Sequence, residues 1–388
     1  MAWLEDEDDL RPRPLAVLQE EASAVIGRHE SPDTVAGILR TARRREVLRL
    51  AFSAILGEIT VAQLAVGLTD ITATHIQAVV ASIRGTSLVP QPGEGDGIEF
   101  AVIGMGRFGG AELGFGSDAD VMYVFRAGAL EDGAAHDRAR FIVRELTRLT
   151  EDNVLPLDLD IGLRPEGKNG VVVRSLDSYA AYYRRWSLTW EAQALLRASG
   201  VAGEPSLLAD FRVVADSVRY PAEIAEQDVR EVKRIKARVE NERLPQGADP
   251  NRHLKLGRGS LSDVEWFVQL MQLQHAAALP ELQTTSTMIA LTVASEADLV
   301  TEEDAATLRA AWIFASRARS AITLWTNKTS DVLPADRQQL EGIARIMQYP
   351  PGSANQLEED YLGVTRRSRA VFERLFYGPP ERTRPLTG

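Results

Sequence analysis

Two short apolar runs, IEFAVIG (98–104) and DVMYVF (120–125), are separated by fifteen residues, five of them glycine. Short apolar runs bounded by glycine read as β-strands. The gap leaves room for a glycine bend and one or two turns of helix, which commits this stretch to a compact α/β unit.

The second run opens with Ser117-Asp118-Ala119-Asp120. Alternate residues of a strand share a face, so Asp118 and Asp120 project together. Carboxylates held that close repel unless a cation lies between them. Mg²⁺ takes oxygen ligands of this kind, keeps some water and bridges to phosphates. Adjacent glycines let backbone N–H groups approach a polyphosphate. A lone Asp-x-Asp is usually a solvated strand start. The conjunction of strand, glycine bend, Ser-Asp-x-Asp and second strand favours a site. LDLDIGLRP places Asp158 and Asp160 on one face of a further strand. An antiparallel neighbour of the Asp118 strand would bring one of them to the pair and leave the other in solvent.

Two glycine patterns point elsewhere and are set aside. Gly104, Gly106 and Gly109 spell GxGxxG after a strand, but a dinucleotide site needs a full helix and a second strand beyond it. Gly162, Gly167 and Lys168 begin a phosphate loop, but Asn169 stands where serine or threonine is required. A turn accounts for that segment.

At 388 residues the chain exceeds the size, about 250–300 residues, at which single cores stop growing, so two or three packed domains are expected. Residues 1–12 read as an acidic, frayed tail and 13–84 as a helical lead. In that lead Arg43, Arg44 and Arg45 read as a solvated helix face. Residues 85–97 form a Gly/Pro-rich linker, and 98–204 the α/β unit, with further β runs LPLDLDIGL and GVVVRS and helices near 135–152 and 175–197. Residues 205–388 read as a helical bundle, including 224–243, 260–277, 301–327 and 354–377. The absence of cysteine excludes disulfides and thiolate sites and fits a reducing cytoplasm. Five histidines without ligand spacing disfavour zinc, and a net charge of −11 disfavours nucleic acid. The N-terminus lacks signal-peptide character, and no apolar run reads as long enough to span a bilayer.

The glycine bend followed by Ser-Asp-x-Asp resembles the nucleotidyltransferase superfamily that includes DNA polymerase β. The longer stretches GMGRFGGAELGFGSDADVMYVF, LDIGLRPEGKNGVVVRSLDSYAAYY, LTWEAQALLRA, GVAGEP and HLKLGRGSLSDVEWFVQLMQLQH are similar, in order, to the bacterial glutamine synthetase adenylyltransferase family. The resemblance covers nearly the whole chain. It implies an α+β fold, with a polymerase-β-like unit flanked by N-terminal helices and a C-terminal helical bundle. It also implies transfer of AMP from ATP to a tyrosine of glutamine synthetase, with Mg²⁺ held by Asp118, Asp120 and Asp160. Asp160 is preferred to Asp158 because it matches the aspartate of the family's DxRLRP. Gly106, Arg107, Ser117 and Arg164 are the candidates for nucleotide contact, with Arg164 equally able to pair with a carboxylate. Glu191 and Asp263 are read as helix-pairing and as a surface helix cap. PII signal protein and glutamine are the implied regulators, with no nucleic acid and no membrane. ELGFGSDAD is similar to the ELGYGSDLD of the family's adenylylating half, and the RLFYG ending suits the C-terminal half. The alternatives are phosphorolytic removal of AMP from the same tyrosine, or a noncatalytic regulatory module. The sequence departs from the family at Gly162 and Ser199, where arginine is usual.

Overall fold

Three helices lead the chain: α1 (Leu15–Arg28), α2 (Pro32–Leu56) and α3 (Val61–Arg84). Pro32 sits in the first turn of α2, where its missing N–H is no loss. Gly57 ends that helix in the left-handed conformation, with φ of 80°. Thr60 and Gln63 form a reciprocal capping box at the start of α3. The computed structural model describes residues 10–378, apart from 92, 187 and 246. Of the acidic tail read from sequence, residues 1–9 lie outside the described residues. Leu10 is buried and its carbonyl accepts the Ser53 hydroxyl, while Arg49 donates to the Arg11 carbonyl at 2.6 Å. That end of the stretch is thus anchored rather than frayed.

The chain divides into two compact units, one comprising the chain to Pro221 with Thr284–Ser286, the other Ala222–Gln283 with Thr287 onward. In the first, β1 (Ile98–Gly104) leads through α4 (Gly106–Gly109) into β2 (Ala119–Ala127), followed by α5 (Asp132–Thr150), β3 (Leu159–Asp160) and β4 (Val173–Ser175). Then come α6 (Leu176–Trp186), α7 (Thr189–Leu195), β5 (Ser199–Gly203) and α8 (Pro205–Arg219). Helix α8, which the sequence reading grouped with the C-terminal helices, packs on β1 and β5.

The sheet is mixed. β1 pairs antiparallel with β2 and with β5, while β3 and β4 both run parallel to β2. The parallel β3 corrects the antiparallel neighbour expected from sequence. Ala101, Ile103, Met122 and Val124 form one core with Tyr179, Leu207 and Phe211 from α6 and α8. The alternate residues Phe100, Val102, Tyr123 and Phe125 are buried too, and Phe125 stacks on His136 of α5 at 5.8 Å. Burial on both faces explains why these strands read as unbroken apolar runs instead of alternating ones.

Helix α3 is long and apolar enough to cross a membrane, which corrects the sequence expectation that no run is. Most of its apolar stretch is buried within the protein, packed against α1, α2, α5 and β5. At its end the buried Arg84 donates to Asp96 at 3.0 Å, to Glu204 at 2.5 Å and to the Ile98 carbonyl at 2.6 Å, tying the linker to the sheet. Of the arginine cluster on α2, Arg45 is exposed, as a solvated face requires, but Arg43 and Arg44 turn inward. Arg43 is buried and donates to the carbonyls of Leu155 (2.7 Å) and Pro156 (3.3 Å), and Arg44 pairs with the buried Asp152. Both arginines satisfy the 152–156 segment, which would otherwise bury orphan carbonyls.

The second unit contains α9 (Glu226–Glu242), α10 (Leu261–His275), α11 (Thr287–Glu296), α12 (Glu302–Thr326), α13 (Arg337–Ile346) and α14 (Ala354–Phe372), the last continuing as a π-helical turn, Glu373–Tyr377. Trp312, Tyr361, Phe372 and Phe376 are among its largest fully buried side chains, with Lys236. Asp263, read from sequence as a surface cap, is fully buried. It accepts the Gly259 N–H at 2.6 Å and pairs with Lys236 at 2.6 Å and Arg369 at 3.0 Å. Burial favours a protonated Glu240, but Arg369 and Lys236 outweigh it and hold that carboxyl below its ordinary range.

Candidate functional site

The site lies where the C-terminal end of β1 meets the beginnings of β2 and β3. In the β1–β2 ladder Gly104 is opposite Val121, and in the parallel β2–β3 ladder Asp120 is level with Asp160. Two hydrogen bonds fix these strand ends: Met105 N–H to the Asp120 carbonyl and Ala119 N–H to the Asp158 carbonyl, each 2.8 Å. Asp118 stands two residues before Asp120, just outside the strand. Carboxylate oxygens of Asp118, Asp120 and Asp160 come within 4.8 Å of one another. Asp118 and Asp160 are exposed, and Asp120 is half-buried. Neither Asp118 nor Asp160 pairs with a lysine or arginine among the described residues. Three hard oxygen donors converging without a basic partner on two of them suit a divalent cation such as Mg²⁺.

The glycine bend is shaped by what surrounds it. Gly106 has φ of +52°, and a Cβ there would lie 2.3 Å from Asp120 Oδ2. A Cβ on Gly109 would lie 1.9 Å from the Arg197 carbonyl and 2.3 Å from that of Gly104. These glycines therefore mark close approach of backbone to a carboxylate and to another chain segment. The four-residue α4 and the antiparallel β2 confirm that GxGxxG here is no dinucleotide fold. At the second glycine pattern set aside, Gly162 to Lys168, a single 3₁₀ turn spans Gly167–Asn169.

Ser117 closes the turn before Asp118. Its Oγ accepts the Gly114 N–H at 3.0 Å, and its own N–H donates to the Gly114 carbonyl at 3.1 Å. Arg107 Nε donates to the Glu112 carbonyl at 2.8 Å. Arg164 is buried. It donates to the carbonyls of Ile161 (2.6 Å), Gly170 (2.9 Å) and Lys168 (3.0 Å); among the described residues its guanidinium pairs with no carboxylate, and it organises the loop after β3. The Gly162 N–H donates to Asp160 Oδ1 at 2.7 Å, so the departure from arginine leaves a backbone donor on the third carboxylate. Asp158 is outside the cluster. Glu191 accepts the Tyr182 hydroxyl at 2.8 Å and the Leu188 N–H at 2.9 Å, a pairing role.

Sequence reasoning missed the ion pair under the bend. Arg197 and Glu112 are both buried and paired, and Arg197 Nε donates to the Gly106 carbonyl at 3.1 Å. Both residues fall inside stretches that carry the family resemblance, which is the signal that could have found them. A buried pair of this kind is costly to break from one side.

Comparison with known proteins yields two family models. One, described as glutamate-ammonia ligase adenylyltransferase, matches residues 1–213, and one described as GlnD PII-uridylyltransferase matches residues 227–376. Among curated relatives, a bifunctional glutamine synthetase adenylyltransferase/adenylyl-removing enzyme from Leifsonia xyli subsp. xyli is 66% identical over 98% of this chain and 37% of its own length. Proteins of the same description from Streptomyces avermitilis and Corynebacterium glutamicum are 46% and 43% identical, over 95% and 92% of this chain and 38% and 34% of their own lengths. The chain thus spans little more than a third of the relatives it matches.

Proposed function

Because the chain belongs to the glutamate-ammonia ligase adenylyltransferase family, we propose that it transfers AMP from ATP to a tyrosine of glutamine synthetase, releasing pyrophosphate. The observation that carries this reading is the convergence of Asp118, Asp120 and Asp160 within 4.8 Å beside the glycine bend. The three carboxylates would hold Mg²⁺, which when bound supplies positive charge against that of the phosphates. The tyrosyl oxygen forms a bond to the α-phosphorus as the bond to pyrophosphate breaks. Asp160 is assigned the tyrosyl proton: Oδ1 accepts the Gly162 N–H, and Oδ2 remains for it. The backbone at Gly106, with Arg107 and Ser117, is assigned to the triphosphate. Arg164 serves the pocket by holding its loop.

The flanking helices, α1–α3 before the sheet and α9–α14 after it, support the polymerase-β-like plan. The match of residues 227–376 to a PII-uridylyltransferase family model supports the PII signal protein as partner, with glutamine as the small regulator. A chain without cysteine, whose apolar α3 is a core helix, supports a cytoplasmic place.

One observation favours the reverse reaction, phosphorolysis of the tyrosyl-AMP bond. The N–H groups of Gly114 and Ser117 are spent inside their own turn, which leaves fewer donors for a polyphosphate. The likeness of ELGFGSDAD to the adenylylating half weighs the other way. Incubation with ATP, Mg²⁺ and glutamine synthetase, read by intact mass, decides between them. The expected result is addition of one AMP with pyrophosphate release. ADP formed from adenylylated glutamine synthetase and phosphate, with no AMP incorporation from ATP, would reverse the assignment.

A further inference from the structure

Buried polar groups are almost always hydrogen-bonded, so a concentration of unpaired ones calls for an explanation. Four such atoms lie together in the helical lead: Nε of Arg43, Oγ1 of Thr74, and Nδ1 and Nε2 of His75. All three residues are at least nine-tenths buried. All three line one half-open cavity of about 470 Å³ between α1, α2 and α3. The rest of the wall includes Leu18, Val25, Ile38, Leu39 and Ile71. The Leu39 carbonyl acts on His75 but lies outside hydrogen-bonding geometry.

The charge balance of the cavity has a sign. Two of its three acidic residues, Glu21 and Glu46, are already neutralised: Arg13 and Arg45 hold Glu21 at 2.7 and 3.2 Å, and Arg45, Arg49 and Arg13 hold Glu46 at 3.0, 3.1 and 3.3 Å. The third, Glu20, and the lining Arg28 are exposed, so water screens both. Among the described residues Arg43 has no such partner. Its Nη1 and Nη2 each donate to a neutral carbonyl of the 155–156 segment, and nearby Asp152 is paired with Arg44. Burial drives the Arg43 guanidinium down to about 10, against the pull of Asp152 and with the push of Arg44. His75 is neutral, its pKa lowered to about 3 by burial and by Arg43 and Arg40, so it adds one donor and one acceptor but no charge.

We infer that this cavity is a binding site for a small organic carboxylate with an apolar body. Its carboxylate faces Arg43, Thr74 and His75, and its hydrocarbon part lies among the aliphatic wall residues. A cation is disfavoured because, among the described residues, the buried charge in the wall that lacks a carboxylate partner is the Arg43 guanidinium, which is positive. The site is separate from the three aspartates and needs no metal.

The test uses the full chain and 4-fluorobenzoate, an apolar ring bearing one carboxylate, followed by fluorine NMR. 4-Fluorobenzylammonium and fluorobenzene serve as charge controls. Saturable 1:1 binding of the carboxylate is expected, with weaker binding of the neutral ring and none of the ammonium. Arg43→Gln keeps an amide for the 155–156 carbonyls and removes the charge; it should weaken binding at least about tenfold, the usual worth of a charge-assisted hydrogen bond. Ala42→Phe fills the cavity from a half-buried wall position and should abolish binding with an unchanged circular dichroism spectrum. No binding to the wild-type chain would overturn the proposal, as would equal binding of the ammonium, or affinity unchanged in natively folded Ala42→Phe.

Discussion

Replacing Gly106 with alanine tests the geometry of the site with a single methyl group. The new Cβ would lie 2.3 Å from Asp120 Oδ2 and 3.1 Å from its Cγ. Carbon and oxygen rest at about 3.4 Å or more, so the carboxylate must retreat by about 1 Å. A misplacement of that size can cost about a hundredfold in rate. The stability cost is smaller. A left-handed φ of +52° costs an L-residue about 1–2 kcal/mol, which lowers Tm by about 2–8 °C in a unit of this size. The expected outcome is a Tm lowered by about 2–8 °C with the fold retained, AMP transfer down about a hundredfold, and weakened Mn²⁺ binding by electron paramagnetic resonance. Gly133→Ala is the control, because a Cβ there meets nothing within 4 Å. Wild-type transfer and Mn²⁺ affinity in Gly106→Ala would refute the claim that this glycine exists to admit the Asp120 carboxylate.

Asp118→Asn and Asp120→Asn should each fold normally and lose transfer by at least about a hundred- to a thousandfold; near wild-type rates with native circular dichroism would remove both from the metal site. Asp160→Ala should abolish transfer while Asp158→Ala is mild, since only Asp160 joins the cluster; equal small effects would place the third ligand elsewhere. His75 should make the protein acid-sensitive, with burial and then Arg43 and Arg40 opposing its charged form and Asp152 favouring it. Its folded pKa of about 3 lies below the ordinary 6.5, so the unfolded state takes up the proton first. Stability therefore falls as pH drops below about 6.5 and stops falling near 3, with about 2 kcal/mol lost at pH 5. Urea titrations should show that loss in the wild-type chain and not in His75→Gln; identical pH profiles would mean His75 is protonated in the fold.

Much of the site was legible because its signals are local. Two apolar runs, a glycine bend and Ser-Asp-x-Asp lie within 28 consecutive positions, 98–125, and strand alternation alone puts Asp118 and Asp120 on one face. Asp160 was a different matter. Its residue type and its match to the family motif singled it out, yet the sequence reading had its strand antiparallel. The parallel ladder that sets it level with Asp120 is a long-range pairing, and no local pattern encodes the direction of a two-residue strand. The helices read well where packing demanded a single apolar stripe, and α8 was grouped with the wrong neighbours because an amphipathic helix does not say which surface it covers.

By itself the sequence determined residue chemistry, strand and helix periodicity, and the positions where glycine must stand. Only the tertiary structure decided burial and partners. Arg43 and Arg44 look like solvated charges along α2 until the 152–156 segment lays its carbonyls and Asp152 against them. Asp263 looks like a surface cap until Lys236 and Arg369 close over it. Arg197 and Glu112, 85 residues apart, meet beneath a bend that Glu112 belongs to and Arg197 reaches only through the fold. The physical reason is common to all of them. A charged side chain enters a core only when a counter-charge or a set of carbonyls arrives from elsewhere in the chain to replace water, and where those partners arrive from is a property of the fold.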